Sequence, residues 1–187
     1  MKTEQASPLS SPLSSPLCGR RVLVAVSGSI AAVKTPLLVS ALIKAGAEVR
    51  CLVTTSGAAL VSPVALASLS RHRCYLEADQ WDSASSRPLH IELAEWAELA
   101  IVAPLSASSL SRWSQGSADG LLASVLLAME APVIAAPAMN TAMWRHPAVQ
   151  RNWQQVQSFP RVIPLVPASG LLACDRVGDG RMADPLL

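Results

Sequence analysis

Short uninterrupted apolar runs alternate along this chain with longer stretches whose apolar residues recur every three or four positions. The run Val22-Leu23-Val24-Ala25-Val26 ends in Ser27-Gly28-Ser29 and predicts a buried strand followed by a turn. Ile30 to Ala45 carries its apolar residues at helical spacing and stops at Gly46, which predicts one helix. Glu48 to Thr54 predicts a second strand, and a helical stretch restarts around Pro63. Ile91 to Ala97 predicts a short helix with Leu93 and Trp96 turned inward and Glu92, Glu95 and Glu98 outward. Leu99 to Ala103 is the next predicted strand, residues 106–130 are helical, and Pro132 to Ala136 is again a strand. Pro147 to Gln157 opens with proline in its first turn, where a missing N–H costs nothing, and Val162 to Val166 closes the series as a strand. Strands apolar on both faces and separated by helices predict a parallel sheet covered on both sides. The expected fold is therefore α/β and doubly wound, Rossmann-like or flavodoxin-like.

Two segments stand outside this rhythm. Residues 7–17 read SPLSSPLSSPL, and proline at every fourth position forbids a regular helix or a central strand. Residues 1–19 are expected to be a disordered tail, and residues 20–187 one domain. No apolar core follows Lys2, so the tail does not read as a signal peptide; Glu4 and the lack of arginine argue against a transit peptide. The second segment, Leu121 to Met139, is nearly all apolar, but Glu130, Pro132 and Pro137 interrupt it. It reads as a buried helix followed by a buried strand, and no membrane association is expected.

Only 15% of the 187 residues are charged, against about 25% in an average soluble domain, and the formal net charge is +2. That balance lacks the basic stripe a nucleic-acid binder needs. The four cysteines, at 18, 51, 74 and 174, form no CxxC, so neither a disulfide framework nor a metal site is indicated. Reduced thiols in a cytoplasmic protein are the plainest reading.

Ligands of doubly wound folds sit beyond the carboxyl ends of the strands, and the polar residues cluster there. Gly28 and Ser29 follow the first strand, Thr54-Thr55-Ser56 the second, and Ser106-Ala107-Ser108-Ser109 the strand after Leu99. Each cluster alone is an ordinary helix cap. Three at one sheet edge favour a phosphate. Neither GxGxxG nor GxxxxGK[ST] is present. Asn140, in the Pro137-to-Trp144 stretch, places an amide at a strand end, where it can hold a carboxylate without neutralising it. His90 opens a short helix, and Cys174 lies in the Gly-punctuated segment Gly170 to Met182, expected to be an irregular, mobile flap.

The stretches SGSIAAVK, HIELAEWAELAIVAP, PLSASS, APAMNTAMW and GLLAC with GDGRM occur in the order found in the homo-oligomeric flavin-containing cysteine decarboxylases, which the chain resembles from about Arg21 to Pro185. The resemblance implies FMN held by Gly28, Ser29 and Ile30, by Thr54 and Ser56, and by Ser106, Ala107, Ser108 and Ser109, with Ala138 near the ring. It implies His90 as base, Cys174 as acid, and Asn140, Met143, Leu172 and Ala173 around the substrate. The implied reaction is decarboxylation of 4'-phosphopantothenoylcysteine to 4'-phosphopantetheine in coenzyme A biosynthesis, through thioaldehyde and enethiolate intermediates. Oxidative decarboxylation of a peptidyl C-terminal cysteine and a non-catalytic flavin-binding regulatory subunit are the alternatives. A homo-oligomer, a trimer by resemblance, is expected, because a charge-poor chain of this length leaves apolar surface to cover. The family loop usually reads Ser-Ala-Asn-Thr and its flap Cys-Gly-Asp; here Ser108, Ser109, Asp175 and Arg176 depart from it.

Overall fold

The computed structural model describes residues 15–83, 85–173 and 177–184. Six parallel strands form one sheet in the order β3-β2-β1-β4-β5-β6, with β1 Arg21–Val26, β2 Glu48–Val53, β3 Cys74–Leu76, β4 Leu99–Leu105, β5 Val133–Pro137 and β6 Val162–Pro164. This is the doubly wound order, with its direction reversing between β1 and β4. Alternation along β1 feeds both faces. Leu23 and Ala25 enter a core built with helices α4 (Leu89–Trp96), α5 (Ala107–Ser114), α6 (Leu121–Ala128) and α8 (Pro147–Gln157). Val22, Val24 and Val26 enter the opposite core beneath α1 (Thr35–Lys44) and α3 (Pro63–Ser70).

The structure departs from the pattern in several places. Ile30–Lys34 is a turn of 3₁₀ helix and α1 begins only at Thr35, because Pro36 belongs in a first helical turn. Residues 106–130 form two helices: Gly116, at φ +69°, ends α5, and an extended Gly120 starts α6. β3 is an edge strand that the pattern did not reveal, three residues long and half-buried. The segment expected to be irregular is a hairpin, with β7 (Ala168–Leu171) antiparallel to β8 (Val177–Arg181). The two remaining helices, α2 (Thr55–Ala58) and α7 (Thr141–Arg145), are single turns after β2 and β5. Residues 15–19, assigned above to the tail, form a turn in which the Gly19 N–H donates to Gly46 O at 2.9 Å and Leu17 packs on the core. The rest of the expected tail, residues 1–14, lies outside the described residues.

Leu121 to Met139 is a buried helix followed by a buried strand, as expected. Among the described residues, no helix is long and apolar enough to cross a membrane.

Candidate active site

Where β1 and β4 run side by side, their following helices leave on opposite faces of the sheet and open a crevice. Ser27 stitches its floor. Its buried hydroxyl donates to Pro104 O at 2.7 Å and accepts from the Ser106 N–H at 2.7 Å. The Thr35 hydroxyl, also buried, donates to Ala103 O at 2.9 Å. These bonds set Gly28 and Ser106 on the shared wall of two adjoining cavities, of about 510 and 270 Å³. A Cβ on Gly28 would collide with Ser56, so the β1 and β2 loops meet only with glycine there.

Three of the side-chain oxygens predicted to bind also cap helices. Thr54 accepts from the Gly57 N–H at 3.1 Å, Ser106 from the Ser109 N–H at 3.3 Å, and Asn140 Oδ1 from the Met143 N–H at 2.9 Å. Capping leaves the Asn140 amide N–H₂ available to donate. The hydroxyls of Ser29, Ser56 and Ser108 have no protein partner among the described residues, and Ser29 precedes its helical turn without capping it. The smaller cavity is lined by Thr54, Ser56, Ser106, Ser108 and Ser109. The larger is lined by Ser29, Ile30, Ala107, Ala138, Asn140, Met143, Leu172 and Ala173. Volumes of this order suit a small organic ligand.

The hairpin forms one wall of the larger cavity and is docked on the β5–α7 junction. The Met139 N–H donates to Gly180 O at 2.9 Å, and the Thr141 hydroxyl to Asp179 O at 2.8 Å. Asp179 Oδ1 and Oδ2 accept from the Ser169 hydroxyl at 2.5 Å and from Arg145 at 2.8 Å, and these bonds hold its carboxyl below the usual carboxylate range. The close approach requires glycine twice. A Cβ on Gly178 would strike Thr141, and Gly180, at φ +104°, lies against Met139 O. Cys174, with Asp175 and Arg176, lies outside the described residues, between a cavity-lining Ala173 and β8.

His90 is in the first turn of α4. That helix leads directly into β4, so its N-terminus points to the carboxyl edge of the sheet. Nδ1 of His90 is buried with no hydrogen-bond partner among the described residues. The residue lines neither cavity: α4 packs on α6, and Leu122, Ala123 and Leu126 of α6 line the smaller one.

Five charged residues at the cavities escaped the sequence reading. Glu77 accepts from the Leu121 N–H at the start of α6, and Arg112 pairs with Asp119 at 3.1 Å; all three face the smaller cavity. Lys34 and Arg181 face the larger one. Arg112 was legible in principle, since it lies one helical turn beyond Ser108 and Ser109. Glu77 was not, because its place depends on the unrecognised β3.

A parallel sheet with a hydroxyl-lined crevice at the point where its strand order reverses defines a mononucleotide-binding α/β protein. The chain belongs to the Flavoprotein family, whose model matches residues 10–185. It is 42% identical over 173 residues to the coenzyme A biosynthesis bifunctional protein CoaBC of Bacillus subtilis, covering 90% of this chain and 41% of that protein. The chain thus spans about two fifths of the bifunctional relatives it matches. Mouse phosphopantothenoylcysteine decarboxylase is 41% identical over 171 residues, covering 88% of this chain and 81% of that one. Among solved structures, a cysteine-to-serine variant of PPC decarboxylase complexed with pantothenoylaminoethenethiol superposes with a TM-score of 0.83 at 35% identity, covering 90% of this chain and 93% of that chain. The FMN-binding protein AtHal3 gives 0.79 at 35%, covering 89% and 91%.

Proposed function

We propose that this chain is an FMN-dependent decarboxylase converting 4'-phosphopantothenoylcysteine to 4'-phosphopantetheine in coenzyme A biosynthesis. One observation carries the reading: the hydroxyl cradle, Asn140 and the wall leading to Cys174 converge on two cavities that share Gly28 and Ser106. Relatives bearing that activity in their names match about nine tenths of the chain.

The residues fit the cofactor. Gly28 would let the phosphate approach the backbone, and the hydroxyls of Ser29, Ser56 and Ser108, unpartnered among the described residues, would donate to its oxygens, with Ile30, Thr54, Ser106, Ala107, Ser109 and Ala138 completing the enclosure. When bound, FMN supplies a hydride acceptor and donor at the cysteinyl side chain of the substrate. Oxidation of that thiol to a thioaldehyde is what permits loss of CO₂, since C=S accepts the electrons an ordinary amino-acid carboxylate would leave on carbon. The Asn140 amide orients the carboxylate and, being uncharged, does not stabilise it against leaving. Met143, Leu172 and Ala173 line the cavity beside it. His90 takes the substrate proton at a ring nitrogen, and the Cys174 thiol returns a proton when the enethiolate is reduced.

The assembly is part of the proposal. Ile30, Val33 and Leu37 are each more than half exposed on one side of the first helical turns. A homotrimer that covers this ridge and brings His90 of a second copy to the cavity would complete the site, since His90 lines neither cavity of its own protomer. The catalytic domain is residues 20–187 with its lead-in turn, and a cytoplasmic location, where thiols stay reduced, suits Cys174 as an acid.

The test is product analysis. Purified protein given FMN and 4'-phosphopantothenoylcysteine should yield 4'-phosphopantetheine by mass spectrometry. The enethiol as sole product would instead identify an oxidative decarboxylase, and unchanged substrate a non-catalytic subunit.

A further inference from the structure

The two cavities differ in charge. The smaller carries Glu77 and Asp119 against Arg112, whereas the charged side chains lining the larger are Lys34 and Arg181, both cations. They approach from different elements, Lys34 from the turn after β1 and Arg181 from the end of β8. Lys34 is half-buried, and neither side chain has an ion-pair or hydrogen-bond partner among the described residues. Both cationic groups are therefore open to a ligand anion in that cavity. Apolar side chains, including Ile30, Val33, Met139 and Leu171, line the same cavity as the Asn140 amide. A matching ligand has one carboxylate, a long weakly polar body, and a second, doubly charged anionic group.

We propose that Lys34 and Arg181 bind the phosphate of the substrate and make the enzyme select 4'-phosphopantothenoylcysteine over its unphosphorylated form. The inference rests on the function proposed above. A phosphate monoester could also come from FMN, but Ser56 and Ser108, whose hydroxyls have no partner among the described residues, line the smaller cavity and offer that group a cradle apart from the two cations. Charged contacts of this kind are each worth roughly 10-fold to 100-fold in selectivity.

The experiment compares kcat/KM for 4'-phosphopantothenoylcysteine and for pantothenoylcysteine, with FMN affinity measured in parallel by flavin fluorescence. Lys34→Gln and Arg181→Gln should each lower the ratio of the two kcat/KM values about 10-fold or more, chiefly through KM for the phosphorylated substrate. The charge-preserving Lys34→Arg and Arg181→Lys should recover most of the ratio, which a merely structural role would not predict. FMN affinity should stay as in the wild type. An unchanged ratio would overturn the assignment, and so would weakened FMN binding, which would move the two cations to the cofactor. Failure of the wild type to convert either substrate would defeat the proposed function itself and this assignment with it. That outcome is distinct from an active enzyme whose variants keep full selectivity.

Discussion

Gly28 and the cysteines show how far single residues were legible. The Ser27-Gly28-Ser29 turn was marked as a site from its place after a strand, but its two serines have different tasks that only three-dimensional neighbours reveal. Ser27 ties two loops together, and the Ser29 hydroxyl has no partner among the described residues. Because a Cβ on Gly28 would enter the space of Ser56, Gly28→Ala should weaken FMN binding by roughly 10-fold, and adding Ser56→Gly should relieve the clash yet recover only part of the affinity, since the Ser56 hydroxyl is lost with it. Fluorescence titration with FMN checks both. At Cys51 and Cys74, paired across β2 and β3, burial pushes the thiols up to about 12 and about 11 from 9.0, Cys74 adding to the shift at Cys51 and Asp79 to that at Cys74. Both thiols therefore stay protonated and unreactive at neutral pH, while the exposed Cys18 is open to reagent. Iodoacetamide at pH 8, read by peptide mapping, should label Cys18 and spare Cys51 and Cys74. A raised thiol value means the folded state holds its proton where the unfolded chain has released it. This contribution to stability is complete below pH 9 and is lost as pH rises toward 11 and 12, so Tm should fall across that window.

Among the elements, the long, strongly periodic or strongly apolar ones were readable and the short ones were not. Val22 to Val26, Leu99 onward and Pro147 to Gln157 announce themselves because burial or amphipathicity repeats over several residues. β3 has only Cys74, Tyr75 and Leu76, each half-buried, which leaves no period to detect. The β7–β8 hairpin is rich in glycine for a reason that lies outside it: Gly178 and Gly180 make room for Thr141 and Met139 O. Read locally, that composition suggests irregular chain; read against α7, it is a docking surface. The docking has an electrostatic clasp, in which Asp179 accepts from Ser169 and Arg145. Because these bonds lower the Asp179 value from 3.8, the clasp is intact above about pH 4 and is lost as pH falls through the lowered value. Asp179→Asn should release the hairpin at neutral pH. Amide exchange in residues 168–171 and 177–181 should rise several-fold while exchange in the parallel sheet stays slow, as hydrogen-exchange mass spectrometry would report.

For the molecule as a whole, alternating buried strands and helices give the parallel sheet, and the reversal of its strand order between β1 and β4 dictates where ligands gather. The predicted cofactor and substrate residues among the described ones therefore fall on one crevice, although they span Gly28 to Ala173 in sequence. His90 is the exception: it lines neither cavity of its own protomer, and the proposed assembly supplies it from a second copy. Light scattering of the FMN-bound protein should give three times the 19.6 kDa protomer mass, and a monomer would contradict the shared site. The reaction assigned to the crevice is redox-neutral overall, because the hydride removed from the substrate thiol carbon returns to the product. The most direct test is anaerobic addition of one equivalent of 4'-phosphopantothenoylcysteine to the FMN-loaded protein, following visible absorption and CO₂ together. One CO₂ should appear per substrate while flavin absorption bleaches transiently and returns in full. CO₂ release that leaves the flavin reduced, or no CO₂ at all, would contradict the account.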